Sequence, residues 1–81
     1  MKPSTTALDA MTPGQSARIT ALGGDTPFAK RLHAMGFRAG QVVRVLRRAP
    51  FSGPMHVRLG ATDVMLRTRE AALVGIEKLD P

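Results

Sequence analysis

The ten residues RLHAMGFRAG, residues 31–40, predict the end of a helix followed by a turn into a strand. Gly36, in the middle of the stretch, is the residue type expected where a helix stops in a left-handed conformation. Leu32 and Phe37 then occupy the two positions that touch in a Schellman motif. Gly40 is expected to turn the chain into the next strand. The stretch therefore predicts a helix stop and a corner of the fold.

The residues before this stretch predict where the helix begins. Thr26 is a suitable N-cap, and Pro27 is a suitable first helical residue. Phe28, Leu32 and Met35 follow at i, i+4 and i+7, so they fall on one face of the helix. We expect that face to seat a short helix against the core.

Alternating apolar and polar residues predict strands on both sides of the helix. The first strand follows a single helical turn at residues 8–11 and a tight turn carried by Pro13 and Gly14. A second helical turn is expected at residues 68–73, with Thr68 as its cap and Glu70 in its first turn. The predicted strands are residues 15–22, 41–48, 55–59, 62–67 and 74–79.

These elements predict a mainly-β fold built as a small barrel. About five strands are expected, with one short helix inserted after the first strand and a helical turn before the last. A barrel suits a short chain because closing the sheet removes exposed strand edges. The 81 residues form one domain, residues 8–79, after a flexible N-terminus at residues 1–7. No internal repeat or linker is expected.

Composition excludes several classes of protein. The chain has no cysteine, which excludes disulfides, iron–sulfur clusters and thiolate zinc sites. No apolar run approaches the ~18 residues of a membrane span, and no export signal is recognisable. We therefore expect a cytoplasmic protein without membrane insertion. The net charge of +6 predicts either an anionic partner or simply a solvated basic surface.

The sequence predicts neither catalysis nor a bound cofactor. Ser16 and Ser52 lie in no nucleophile motif, and the acidic residues form no recognisable pair. The two histidines, His33 and His56, are far apart and match no metal-ligand spacing. We interpret them as surface residues, capable at most of incidental contact with a divalent metal. No catalytic, cofactor or metal residue is assigned.

Three arginines are candidates for binding a partner. If the apolar residues of the strands face inward, then Arg18, Arg44 and Arg58 face outward, where their planar guanidinium groups suit carboxylate or phosphate. The alternative is a solvated barrel wall. RNA binding would also call for aromatic stacking platforms, but the chain has three phenylalanines and neither tyrosine nor tryptophan. Nucleic acid is therefore the secondary hypothesis for a partner.

Two further residues stand out in the predicted turns. Phe51 lies in a proline-bounded loop at residues 49–54, where it either anchors a partner or packs over the mouth of its own barrel. Arg38 is expected to protrude from the turn after the helix and to contact a partner. Part of the effect of Arg31 and Arg38 is expected to come from the negative end of the helix dipole.

The order of these features resembles the FeoA family, the small cytosolic accessory proteins of bacterial ferrous iron transport. The resemblance extends from Leu8 to Glu77 and rests on four motifs that occur in the family order. The matching residues are Leu8, Met11, Pro13 and Gly14; Arg31, Leu32, Met35, Gly36, Phe37 and Gly40; Ala49, Pro50, Gly53 and Pro54; and Leu66, Arg67, Glu70 and Ala71.

The resemblance implies an SH3-like barrel and a role beside FeoB, a membrane permease with an N-terminal GTPase domain. FeoA-like domains also form the C-terminal domain of some metal-dependent repressors. Because no DNA-binding helices precede the domain here, a stand-alone accessory protein is expected. The resemblance implies no catalytic or metal site. The leading hypothesis is thus a non-enzymatic protein that docks on the cytosolic side of FeoB. A basic barrel that binds RNA or another anion, and self-association, are the alternatives.

Overall fold

The computed structural model describes residues 6–23 and 26–79 as a curved antiparallel sheet with three short helices. The strands are β1 (Thr6–Ala7), β2 (Ser16–Leu22), β3 (Val42–Arg48), β4 (Met55–Leu59), β5 (Thr62–Leu66) and β6 (Val74–Lys78). The helices are a 3-10 turn (Leu8–Ala10), α1 (Pro27–Ala34) and α2 (Thr68–Ala71). The predicted mainly-β, barrel-like fold is confirmed, with six strands in place of five.

The strands form one sheet in the order β1-β6-β2-β3-β4-β5, and every neighbouring pair is antiparallel. Two register shifts, between Ile19 and Ala21 in β2 and between Val45 and Arg47 in β3, bend the sheet. Such irregularities increase local twist and allow a sheet to curl around its own core. The curl brings α2 and the 3-10 turn against each other.

The strand missing from the sequence prediction is β1. Thr6 and Ala7 pair with Ile76 and Gly75 of β6, so the sheet begins before the domain boundary expected at Leu8. Two residues are too few to display an alternating pattern, and only pairing with β6 makes them a strand. The rest of the predicted flexible N-terminus, residues 1–5, lies outside the described residues.

The core lies on the concave side of the sheet and is filled by alternate strand residues. The pattern predicted for β4 is confirmed, because Met55, Val57 and Leu59 are buried while Arg58 is exposed. The buried set also includes Leu8, Met11, Ala17, Ile19, Leu32, Phe37, Val43, Val45, Leu66, Ala71, Val74 and Ile76.

The end of α1 has the geometry predicted from its sequence. Gly36 has φ +101°, the N–H of Phe37 donates to the carbonyl of Leu32 (3.1 Å), and the N–H of Gly36 donates to the carbonyl of His33 (3.0 Å). These bonds define a Schellman motif, and both Leu32 and Phe37 are fully buried. At the other end, the hydroxyl of Thr26 accepts a hydrogen bond from the N–H of Ala29 (3.1 Å).

The buried face of α1 differs from the prediction. Ala29 and Leu32 are buried, whereas Phe28 is 38% exposed and Met35 is half-buried. An α-helix turns by about 100° per residue, so Phe28 and Met35 lie about 70° and 90° from the direction midway between Ala29 and Leu32, both on the same side. The two larger residues therefore lie together on one side of the buried line, which is why both stay partly exposed.

Two matching turns lead into the central strand pair and were not recognised as a repeat in the sequence. In residues 12–15 (TPGQ), the N–H of Gln15 donates to the carbonyl of Thr12 (3.1 Å), and the side chain of Gln15 accepts from the N–H of Thr12 (2.9 Å). In residues 38–41 (RAGQ), Gln41 makes the same two bonds with Arg38, at 3.3 Å and 2.7 Å.

The glycines of both turns have positive φ, +90° for Gly14 and +94° for Gly40, as a type II turn requires. Each turn also extends the ladder: Gly14 and Gln15 bond to Val45 of β3, and Gly40 and Gln41 bond to Ile19 of β2. The β2–β3 pair is thus closed at both ends by the same device. Gly14 and Gly40 each occupy the third position of these turns.

Candidate protein-interaction site

Phe51 forms the most exposed apolar feature of the described residues. Its side chain is 100% exposed at the tip of the loop between β3 and β4, residues 49–54. The alternative that Phe51 packs over its own barrel is therefore wrong. A fully exposed phenylalanine gains nothing from the fold of its own chain, whereas aromatic side chains are common anchors in protein interfaces.

The backbone at this tip is strained. Phe51 and Ser52 have φ values of +57° and +60°, and they are the two non-glycine residues with positive φ among those described. The N–H of Gly53 donates to the carbonyl of Pro50 (3.1 Å), which gives the arrangement of a type I′ turn. Asn and Gly are the usual occupants of its central positions, because a Cβ atom makes positive φ unfavourable.

Thr68 at the start of α2 holds the strained tip in place. Its hydroxyl lies 2.7 Å from the carbonyl oxygen of Ser52 and 3.1 Å from that of Gly53, and it donates a shared hydrogen bond to them. The N–H of Ala49 donates to the carbonyl of Pro54 across the base of the loop (3.0 Å). The loop is consequently fixed from both sides.

Two shallow concavities flank the loop. One, of about 250 Å³, is lined by Arg47, Arg48, Ala49, Pro54, His56 and Met65. The other, of about 490 Å³, is lined by Asp9, Ser52, Pro54, Arg67, Thr68, Arg69 and Ala72. Pro54 belongs to both, so the loop that carries Phe51 forms the ridge between them. We call Phe51 together with these two concavities the tip surface.

The three outward arginines predicted as partner contacts lie on the convex face of the sheet. Arg18, Arg44 and Arg58 are all exposed, and Arg44 stands directly opposite Arg58 in the β3–β4 ladder. Arg58 forms an ion pair with Asp63 on β5, with Nε–Oδ1 and Nη2–Oδ2 distances of 2.8 Å and 3.4 Å. This pair partly neutralises the face. Binding of a partner by these arginines stays a prediction.

The contact between Arg58 and Asp63 also shifts the pKa values of both side chains. The hydrogen bond from Arg58 lowers the pKa of Asp63, and the pKa of Arg58 is raised by the same contact. His56 adds a second contact, since its Nε2 atom lies 3.2 Å from Oδ2 of Asp63. This pairing of an acid across a hairpin was not recognised in the sequence, because it depends on the β4–β5 register that places Arg58 opposite Asp63.

Arg38 folds back onto α1, contrary to the prediction that it protrudes from its turn. Its Nη1 atom donates to the carbonyl oxygens of His33 and Phe37, both at 2.9 Å. It therefore caps carbonyls at the end of the helix, where a positive charge is also favourable. Arg38 precedes β3 and Phe51 follows it, and the seven residues of β3 span about 20 Å at ~3.3 Å per step. One small contact patch cannot include both residues.

The two histidines are not brought together. The Nδ1 atom of His33 lies 3.4 Å from Nη1 of Arg38, and His56 contacts Asp63. Within residues 6–23 and 26–79, no group of three or more histidine, aspartate or glutamate side chains could hold a metal ion. Likewise, no helix in the described part of the chain is long and apolar enough to cross a membrane.

Glu70 was placed in the first turn of α2 by the sequence, but its burial was not foreseen. It is 2% exposed, and its Oε1 atom accepts a hydrogen bond from the N–H of Arg67 (2.9 Å). Its Oε2 atom accepts no hydrogen bond among the described residues and has Nε of Arg31 at 3.4 Å. We regard this contact as an ion pair that joins α1 to α2. The Arg31 and Glu70 positions belong to different motifs of the sequence, and no local signal links them.

Comparisons with known proteins place the chain among FeoA domains. Residues 6–78 match the FeoA domain family model. The chain is 34% identical over 64 residues to the Fe(2+) transport protein A/Fe(2+) transporter FeoB fusion protein of Porphyromonas gingivalis. That match covers 79% of this chain and 8% of the fusion protein. The chain thus spans a small part of that relative.

Solved structures agree in fold. Iron(II) transport protein A from Clostridium thermocellum superposes with a TM-score of 0.85 and 31% identity, covering 91% of this chain and 46% of that one. FeoA from Stenotrophomonas maltophilia in complex with zinc, an SH3 domain protein, gives a TM-score of 0.79 and 28% identity, with 89% of each chain covered. The SH3-like architecture implied by the sequence resemblance is confirmed.

Proposed function

Because the chain belongs to the FeoA domain family, we propose that it is a non-enzymatic accessory protein of bacterial ferrous iron transport that docks on the cytosolic side of a FeoB permease. The observation that carries this proposal is the fusion relative, in which an Fe(2+) transport protein A and the transporter FeoB form one polypeptide. Fusion raises the effective concentration of one domain near the other, which favours domains that act together.

The chemistry of the described surface supports a binding role. Phe51 is fully exposed on a loop that Thr68 ties to α2, and the chain carries a net charge of +6. The polar groups that the structure brings together, such as Arg58 with Asp63 and Arg31 with Glu70, form ion pairs between elements of the fold. Each of these pairs joins two elements of the fold.

Ferrous iron uptake tests the proposal directly. Cells that lack this protein but retain the permease should take up less ferrous iron than wild-type cells, and expression of the wild-type chain should restore uptake. The wild-type chain should also co-purify with the permease from detergent-solubilised membranes. Uptake that is unchanged by the deletion, together with no co-purification, would refute the proposal.

The alternative of RNA binding has weaker support. The fully exposed Phe51 lies at the tip surface, whereas Arg18, Arg44 and Arg58 lie on the convex face of the sheet, and no phenylalanine, tyrosine or tryptophan side chain of the described strands lies among these arginines. Electrostatic binding to RNA would weaken steeply with added salt. A salt titration with labelled RNA measures this alternative separately.

A further inference from the structure

We propose that the tip surface is the docking surface for the permease, and that it fits a partner site with an apolar pocket for Phe51 bordered by carboxylates. This inference rests on the proposed function and names the surface that performs it. It replaces the contact set expected from the sequence, in which Arg38 and the convex-face arginines would share the partner with Phe51.

The first support is that the Phe51 tip is preorganised. A flexible exposed side chain loses conformational freedom when it binds, which reduces affinity. Here the backbone of Phe51 and Ser52 is held at positive φ, and Thr68 fixes the carbonyl groups of Ser52 and Gly53. The backbone that carries the ring is thus ordered before binding, so only the side chain of Phe51 still has to lose conformational freedom. Residues in strained backbone conformations that the fold actively maintains are concentrated at functional sites.

The second support is the charge around the tip. Arg47 lines one concavity beside the loop, and Arg67 and Arg69 line the other. All three are exposed, and none forms an ion pair with an acidic side chain in residues 6–23 and 26–79. Among the described residues, Asp9 is the single carboxylate that lines either concavity. These three guanidinium groups, which have no acidic partner among the described residues, are complementary to carboxylates on a partner.

The third support is the apolar area next to Phe51. Met65 is 58% exposed and lines the smaller concavity together with Ala49 and Pro54. Phe51 and Met65 are the two most exposed large apolar side chains among the described residues. An aromatic anchor with an apolar neighbour and a charged rim is the usual composition of an energetic centre in a protein interface. The chemistry therefore favours an acidic protein surface as the occupant.

The binding experiment uses the full chain and the full-length FeoB permease of the same cell, purified in detergent. Phe51→Gly removes the ring while suiting the positive φ of the backbone, so the fold should be kept. This variant should lower the affinity at least about tenfold, mainly through faster dissociation. Phe28→Ala is the control, because it truncates another partly exposed phenylalanine, on α1 and outside the tip surface, and its affinity should stay within about twofold of wild type.

A second set of variants tests the charges. Replacement of Arg47, Arg67 and Arg69 by Gln should slow association and reduce its dependence on salt. Replacement of Arg18 and Arg44 by Gln is the control from the convex face and should leave both properties unchanged. Arg38→Gln should likewise bind as wild type does.

The outcomes separate this inference from the proposed function. Wild-type protein that does not bind the permease would overturn this inference, and together with uptake that is unchanged by the deletion it would refute the proposed function as well. If Phe51→Gly binds the permease as tightly as wild type, or if the convex-face variant loses binding instead, the assignment of the tip surface is wrong while the proposed function stands. Light scattering measures the oligomeric state of the free proteins. If the wild type is an oligomer and Phe51→Gly is a monomer, the tip surface binds a second copy of this chain, and the inference is overturned.

Discussion

Arg31 and Glu70 form a contact between the two α-helices in which one partner is exposed and the other is buried. The Nε atom of Arg31 lies 3.4 Å from Oε2 of Glu70, and the two side chains are 59% and 3% exposed. The second carboxylate oxygen accepts the N–H of Arg67. Glu70 therefore caps the start of α2 and ties this short helix to α1.

Replacement of Glu70 should show which of these bonds matters more. Glu70→Ala leaves the N–H of Arg67 without its acceptor and should lower the free energy of unfolding by about 1–3 kcal/mol. Glu70→Gln keeps an acceptor but loses the ion pair, which is half-exposed at Arg31, so its cost should be smaller, about 0–1 kcal/mol. Urea unfolding of both variants measures the difference. Equal losses would show that the charge, and not the cap, is decisive.

The matching turns before β2 and β3 should respond alike to the loss of their glutamine side chains. Gln15→Ala removes the acceptor for the N–H of Thr12, and Gln41→Ala removes that of Arg38. Each should lower the free energy of unfolding by about 0.5–1.5 kcal/mol, and the double variant should lose the sum because the turns lie at opposite ends of the strand pair. Glutamate at either position keeps the acceptor and serves as control. A loss at one turn only would contradict their equivalence.

Gly36 should be intolerant of a side chain for conformational reasons. Its φ of +101° is unfavourable for a residue with Cβ, while the atom that a Cβ at this position would meet first, Cδ2 of Leu59, would lie 3.9 Å away and cause no clash. Gly36→Ala should therefore cost about 1 kcal/mol, and Gly36→Asn should cost less because Asn tolerates this region. Thermal unfolding compares the two. An unchanged midpoint in Gly36→Ala would refute the backbone argument.

The strain at the loop tip predicts variants that are more stable than wild type. Phe51 buries no surface, so Phe51→Gly removes an unfavourable backbone conformation at no cost in packing. After allowance for the greater freedom of glycine in the unfolded chain, the gain should be about 0.5–1 kcal/mol, and Ser52→Gly should behave alike. Ala49→Gly, where φ is not positive, should instead destabilise. Chemical denaturation decides, and a loss of stability in Phe51→Gly would show that the tip is not strained.

Asp63 should contribute to the dependence of stability on pH in acid. Its pKa in the folded protein is below the ordinary value of 3.8, because Arg58 donates hydrogen bonds to the charged carboxylate. As the pH falls, Asp63 is therefore protonated in the unfolded chain before it is protonated in the folded protein. Its contribution to the free energy of unfolding is complete above pH 3.8 and is lost as the pH falls through the folded pKa. Below that pH, wild type should lose stability more steeply than Asp63→Asn. Identical profiles in urea titrations would exclude the contribution.

The sequence by itself determined the features that depend on short-range chemistry. Thr26 and Pro27 start α1, Gly36 and Phe37 end it, and Gly14 turns the chain into β2, because caps and turns are set by the backbone preferences of a few adjacent residues. The alternation of β4 fixed which of its side chains are buried. These local signals, taken in order, were sufficient for a mainly-β barrel with a single inserted helix.

Tertiary structure decided what the isolated patterns left open. Thr6 and Ala7 become a strand only by pairing with β6, and Glu70 meets Arg31 only when the fold brings α2 beside α1. The position of the Phe51 loop likewise involves Thr68, which is distant in sequence but donates to the carbonyl groups of Ser52 and Gly53. Each of these outcomes depends on contacts between segments far apart in the chain, whose geometry is set by strand register and helix packing and is not encoded in any one segment.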